Sequence, residues 1–261
     1  MAGGRKGTDM LRLEDKVIVI AGGGTGIGAG TALRLASEGA RVVIGDLSAE
    51  RARAVVGGVR ERGGRATALG FDVTDEPTVG ALMRAAVDEY GGLDGLQINV
   101  ADLSIHRHDG DALELDLAVF DRVMAVGLRG HLLCTRYALP HLLARGGGAI
   151  VYTTSAAAFI GEPKRVSYAM AKSGVHALMR HVATRWGKEG IRANAIAPGM
   201  VRTEANVGAP PERFERALRG TRSRRLGLPE DIAAMTALLL SADGEWINGQ
   251  MLSVDGGATI R

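Results

Sequence analysis

Six apolar, β-branched runs punctuate the chain at Lys16–Ala21, Arg41–Asp46, Ala66–Phe71, Gly95–Val100, Ala149–Thr154 and Ile191–Ala197. Helical patterns fill the intervals near Ile27–Glu38, Ala49–Arg62, Glu76–Tyr90, Leu115–Leu143 and Tyr168–Lys188, with a last one at Glu230–Leu240 before a short run at Met251–Val254. Runs that are apolar throughout, instead of at alternate positions, suit strands buried on both faces. Strands of that kind alternating with helices predict an α/β fold: a doubly wound parallel sheet of about seven strands, with helices on both faces. In such an open sheet, ligands sit beyond the C-terminal strand ends where the strand order reverses. Chemistry is therefore expected just after the strands.

The 261 residues suit one large α/β domain, and no Pro/Ser-rich linker interrupts residues 12–261. Residues 1–11 read as a flexible tail. A lone cysteine, Cys134, excludes an internal disulfide and points to a reducing compartment, so the expected location is the cytoplasm. No apolar run reaches transmembrane length, and no membrane partner is expected. The net charge is only +3, and the densest basic cluster, Arg213 to Arg225, has no aromatic interleaving or nucleic-acid motif. It reads as a solvated helix face or a substrate-facing loop, and no nucleic-acid partner is expected.

Ala21-Gly22-Gly23-Gly24-Thr25-Gly26-Ile27-Gly28 joins the first strand to the first helix. Glycines there let the backbone turn tightly and approach a pyrophosphate resting on the free N–H groups of a helix N-terminus. About 20 residues on, Asp46 ends the second strand, where a dinucleotide fold places the acid that binds the adenosine ribose. An acid accepts hydrogen bonds from a 2′-hydroxyl and repels a 2′-phosphate. Neither Leu47 nor Thr25 is basic, so all three positions favour NAD over NADP. An ordinary helix N-cap at Asp46 or Ser48 is compatible with the same residues.

Tyr168 and Lys172 stand at i and i+4, stacked on one helix face. A phenol with pKa about 10 is a poor proton-transfer group at neutral pH, and a nearby cation lowers it. YxxxK is a loose pattern, but this chain prefers arginine; its only lysines are Lys6, Lys16, Lys164, Lys172 and Lys188. A lysine spaced four from a tyrosine is then less easily accidental. Ser155, at a strand end thirteen residues before Tyr168, can hydrogen-bond a substrate oxygen.

Together with Asp72-Val73, Asn194-Ala195-Ile196-Ala197-Pro198-Gly199 and Val254-Asp255-Gly256-Gly257, these motifs resemble the short-chain dehydrogenase/reductase family in order and spacing from Arg12 onward. The resemblance implies a Rossmann fold and hydride transfer between NAD(H) and a secondary alcohol or ketone. Tyr168 would be the general acid/base, Lys172 would bind the nicotinamide ribose and tune Tyr168, and Ser155 would hold the substrate oxygen. The cofactor would lie against Gly22, Thr25, Gly26, Ile27, Gly28, Asp46, Leu47, Asp72, Val73, Asn99, Tyr168, Lys172, Pro198, Gly199, Val201 and Thr203. Assembly as a homotetramer, or a homodimer, through the two long central helices is also implied, with a small-molecule alcohol or ketone as partner.

Three positions depart from the family pattern. Ala21 replaces a threonine, and Ile98-Asn99-Val100-Ala101 keeps one of two asparagines. Gly127 stands where the family carries a catalytic Asn, which anchors a water linking the active-site lysine to solvent. That change keeps a second reading open: a non-redox NAD-binding protein, or an enzyme repurposed to another reaction. His106 and His108 follow the fourth strand; without a Cys or carboxylate cluster they read as polar loop residues, and no metal is expected. The substrate pocket is expected from Asp102–His108, Ala156–Glu162 and Met200–Leu226, the last acting as a lid. A medium-sized secondary or cyclic alcohol would suit it.

Overall fold

A computed structural model describes residues 12–260; the tail read at residues 1–11 lies outside the described residues. Seven strands form one parallel sheet in the order β3-β2-β1-β4-β5-β6-β7, built from β1 (Val17–Ala21), β2 (Arg41–Asp46), β3 (Arg65–Gly70), β4 (Gly95–Ile98), β5 (Gly148–Thr153), β6 (Ile191–Pro198) and β7 (Met251–Val254). This is the doubly wound Rossmann arrangement, with the strand order reversing between β1 and β4.

The unbroken apolar strands have the reason the sequence suggested. In β1, Val17, Val19 and Ala21 face one core and Ile18 and Ile20 the other, and all five are buried. The first core is covered by α3 (Glu76–Tyr90), α5 (Gly130–Ala144) and α6 (Val166–Trp186), through Leu82, Leu142 and Val175. The second is covered by α1 (Gly26–Ser37), α2 (Ala49–Glu61) and α8 (Pro229–Leu240), through Leu35, Val56 and Ile232. A helix not singled out in the sequence, α7 (Pro211–Gly220), carries the arginine-rich segment on the surface.

The expected helix Leu115–Leu143 is broken. It forms α4 (Leu117–Met124), a π-helical turn at Ala125–Arg129, and then α5. Gly127 sits in the π turn, and a β-carbon there would lie 3.2 Å from the Ala171 β-carbon of α6. The wider turn thus brings its backbone close against α6. Gly127 is a close-approach position, which propensity along a regular helix does not describe.

Ile20 is fully buried where β1 meets β2 and the second core. Ile20→Ala leaves a cavity under α1 and α8, and should lower unfolding free energy by about 2–5 kcal/mol in urea denaturation.

Candidate active site

The reversal between β1 and β4 places the glycine turn at the sheet's C-terminal edge. Gly22 adopts φ +87°, and a β-carbon on it would lie 2.8 Å from the Asn99 carbonyl oxygen. A β-carbon on Gly28 would sit 2.1 Å from the Gly22 carbonyl oxygen, an overlap no side chain survives. Asn99 closes the turn from β4, its Nδ2 donating to the Gly22 carbonyl at 3.0 Å. The result is a bare backbone cradle at the start of α1, with Thr25 and Ile27 flanking Gly26.

Asp46 braces that cradle. Its carboxylate accepts from the Gly24 amide at 2.8 Å and from the Ser48 amide at 3.0 Å. Two of roughly four acceptor positions are used, so the carboxylate can still receive two neighbouring hydroxyls. The helix cap of α2 is Ser48, whose side chain accepts from Arg51 N. Leu47 beside it is largely exposed and adds no charge.

Further along the edge, Asp72 accepts from both the amide and the hydroxyl of Thr74, and the Thr74 amide holds its carboxyl below the usual range against the cost of burial. Val73 is buried where a β-carbon on Gly130 would strike it, at 2.5 Å. After β6, Pro198 and Gly199 lead to buried Val201, which bridges Gly227. Thr203 then folds back on the glycine turn: a β-carbon on Gly26 would lie 3.0 Å from its Cγ2. The next residue, Glu204, accepts from the Gly26 amide at 3.1 Å. Any anion at this helix N-terminus would compete with that carboxylate.

Ser155, Tyr168 and Lys172 come together across β5 and α6. Ser155 opens a short 3₁₀ turn, Ala156–Ala158, just beyond β5; its hydroxyl accepts from the Ala157 amide at 3.2 Å and stands beside the Tyr168 phenol. Lys172, one turn after Tyr168, is buried and donates to the Thr153 carbonyl at 3.0 Å. Burial lowers its pKa to about 8, so the amine is still largely protonated at neutral pH. Its Nζ lies 5.8 Å from the centre of the Tyr168 ring, and the Arg165 guanidinium lies 5.7 Å away.

The electrostatics differ from the sequence expectation that Lys172 lowers the phenol. Burial raises the Tyr168 pKa; the Ser155 hydrogen bond and then the Arg165 charge pull it down, while Glu162 pushes it up. The Lys172 ammonium is engaged with Thr153 instead of the phenol oxygen.

Three further residues contribute to this site: His106, expected only as a polar loop residue within the pocket segment, and Asp109 and Arg165, which the sequence did not single out. His106 meets the Tyr168 ring edge-on at 4.5 Å between centroids. Burial, with the charges of Arg165 and Lys172, drops its pKa to about 4, so it is a neutral wall of the pocket. His108 instead is exposed and receives a hydrogen bond from Arg107. Asp109 is buried and caps α6, accepting from the Ser167 amide at 3.2 Å and the Tyr168 amide at 2.9 Å. Arg165, immediately before α6, takes φ +58°, a left-handed turn that aims its side chain at the phenol and Glu162. The signal available in sequence was position alone, since all three flank strand ends or a helix start.

The arginine-rich segment projects outward: Arg213, Arg216 and Arg219 are exposed, and Arg225 pairs with Asp231 at 2.6 Å. Among the described residues, no group of three or more His, Cys, Asp or Glu side chains is arranged to hold a metal. No helix among them is long and apolar enough to cross a membrane.

A parallel sheet with a bare glycine cradle, an acid at the end of β2 and a Ser–Tyr–Lys cluster beyond β5 defines a dinucleotide-fold oxidoreductase class. Comparison with known proteins agrees. Residues 21–259 match the family described as Enoyl-(Acyl carrier protein) reductase. The chain is 42% identical over 247 residues to cis-4-hydroxycyclohexanecarboxylate dehydrogenase of Sinomonas cyclohexanicum, covering 94% of this chain and 97% of that one. It is 41% identical over 249 residues to a probable short-chain type dehydrogenase/reductase of Bradyrhizobium diazoefficiens, covering 95% and 89%. Among solved structures, 7α-hydroxysteroid dehydrogenase complexed with NADH and 7-oxo glycochenodeoxycholic acid superposes with a TM-score of 0.89, at 34% identity over 97% of this chain and 98% of that chain. The chain belongs to the short-chain dehydrogenase/reductase family.

Asp109 satisfies two amides at the start of the helix that carries Tyr168. Asp109→Ala should cost about 1 kcal/mol in urea unfolding, with Asp109→Asn recovering part of it; unchanged stability in the alanine variant would show that those amides find other partners.

Proposed function

We propose that this protein transfers hydride between NAD(H) and a secondary alcohol or its ketone, with Tyr168 as general acid/base. The observation that carries the reading is the convergence of Ser155, Tyr168 and Lys172 beside a cradle that only glycine at 22 and 28 permits. When bound, the nicotinamide supplies or accepts the hydride. Gly22, Thr25, Gly26, Ile27 and Gly28 would hold the pyrophosphate, with Asp46 and Leu47 at the adenosine ribose and Asp72 and Val73 at the adenine. Asn99, Pro198, Gly199, Val201 and Thr203 would line the remainder. The spare acceptor positions on Asp46 match a ribose diol and repel a 2′-phosphate, which supports NAD over NADP.

Ser155 holds the reacting oxygen and Tyr168 passes the proton: to that oxygen during reduction, from the hydroxyl during oxidation. Because burial raises the phenol, the neutral form is favoured, and Ser155 and Arg165 are the groups that oppose it. Lys172, anchored on the Thr153 carbonyl, would hold the nicotinamide ribose with its remaining donors. His106 presents a neutral edge against Tyr168 and excludes water from one side of the pocket. A cyclic or medium-sized secondary alcohol is supported by relatives named for a hydroxycyclohexanecarboxylate and a hydroxysteroid.

Tyr168→Phe should remove turnover of secondary alcohols with NAD by at least about a hundredfold, while NADH binding, read by fluorescence, stays within a few-fold. Undiminished turnover would refute Tyr168 as the acid/base. Cofactor binding without Tyr168-dependent turnover would favour the non-redox reading.

A separate surface supports self-association. Asp121, Met124, Ala125, Leu128, Arg129, Leu132 and Leu178 line an apolar groove of about 500 Å³ over α4, the π turn and α6, with Leu132 half exposed. An apolar patch of this kind rimmed by charge suits an isologous contact between copies, and the homotetramer or homodimer would form there. Leu132→Glu should shift the sedimenting species to a smaller assembly; an unchanged sedimentation coefficient would place the interface elsewhere.

A further inference from the structure

The helix that opens at the glycine turn has no cap of its own. Thr25 stands at the N-cap of α1 without a side-chain hydrogen bond to the first turn, and that turn holds no acidic residue. Among the amides before it, Gly22 and Gly23 donate to the Gly45 carbonyl at 2.8 and 3.0 Å, and Gly24 donates to Asp46. The Gly26 amide is met instead by Glu204, which arrives from 178 residues away to accept at 3.1 Å. An uncapped helix start carries partial positive charge, so a carboxylate is favourable there.

Glu204 is delivered by a braced turn. Thr203 and Asn206 bond reciprocally: the Thr203 side chain accepts from the Asn206 amide, and Asn206 Oδ1 accepts from the Thr203 amide at 3.0 Å. Asn206 Nδ2 also donates to the Val201 carbonyl at 2.7 Å, and buried Val201 is joined to Gly227. The turn packs on the cradle as well. Gly26 takes φ +52°, and a β-carbon there would meet Thr203 Cγ2 at 3.0 Å, so Thr203 lies this close because position 26 is glycine. Two contacts of different kinds, one of packing and one of charge, hold Glu204 over the Gly26 amide.

A backbone N–H is a single donor, and one aimed at the Glu204 carboxylate is not open to a phosphate oxygen. Two anions placed side by side also repel. We propose that Glu204 is a built-in competitor for the dinucleotide: it must leave the Gly26 amide before a pyrophosphate oxygen is received there, and its return favours release. The proposal rests on the dinucleotide reading of the glycine turn given above. Glu204 thereby lowers the affinity of the site and shortens the residence of what binds it.

Titration calorimetry with NADH and with ADP-ribose, which carries the pyrophosphate without the nicotinamide, tests it. Glu204 is exposed, so its replacement leaves the core intact. Glu204→Gln, which removes the charge and keeps the side-chain length, should bind both ligands about three- to tenfold more tightly than the wild-type protein. Glu204→Ala, which removes the contact altogether, should gain as much or more. Glu212→Gln, which removes an exposed charge from α7, should stay within about twofold of wild type. Unchanged or weaker binding in both Glu204 variants overturns the proposal. So does an equal gain in Glu212→Gln, which would be an effect of net charge alone, or a gain for NADH without one for ADP-ribose, which would place the effect at the nicotinamide. If the wild-type protein and every variant bind neither ligand, the dinucleotide reading falls and the proposal with it; binding by the wild-type protein without the Glu204 gain removes the proposal alone.

Discussion

The carbonyl oxygen of Gly22 occupies the space that a β-carbon at position 28 would need, 2.1 Å away. That contact packs the end of β1 against the first turn of α1, and Asn99 ties the same carbonyl to β4. Three elements meet there with backbone on backbone. The turn can pack this closely because nothing larger than hydrogen stands at Gly22 or Gly28. Asp46 and Glu204 then dress the cradle from β2 and from the loop after β6, one bracing it and the other occupying its free amide. Helix termini left without internal partners make this edge suited to an anion.

The helix that carries Tyr168 and Lys172 is held by a different device. α6 enters through a left-handed residue, Arg165, and is capped by a carboxylate from the loop beyond β4. One turn later it drives a lysine into the core to reach a β5 carbonyl. A buried ammonium is costly, and its retained charge depends on that carbonyl and on whatever else meets its remaining donors. Tyr168 is thus pinned from both sides, while burial raises its phenol pKa against the opposing pull of Ser155 and Arg165.

The π turn at Ala125–Arg129 links the Ser155–Tyr168–Lys172 cluster to the surface. Its inner side places Gly127 and Val126 against α6 and near His131. Its outer side contributes Ala125, Leu128 and Arg129 to the apolar groove. A widened helical turn can serve both because it shifts the side-chain register by one residue, so neighbouring positions face opposite directions. Gly127 looks like a loss when aligned on a regular helix. In the π turn it is the residue that allows the two helices to approach.

Much of this protein is decided by patterns short enough to read along the chain. Continuous apolar runs mark strands buried on both faces, the glycine spacing marks the turn after β1, and the four-residue step from Tyr168 to Lys172 places both on one helix face. Each rests on local geometry: strand pleat, the φ range open only to glycine, helical pitch. The rest depends on contacts between distant residues. Asp109 caps a helix 59 residues on, and Glu204 reaches an amide 178 residues back. His106 looked like a loop residue until the return of α6 set Tyr168 against it. The direction of the Tyr168 pKa also belongs to tertiary structure, because burial sets its sign and burial is a property of everything packed around the ring. Sequence by itself determined which residues could form the site; only the fold decided which of them face one another, since the chain carries no local record of what the returning helices bring into contact.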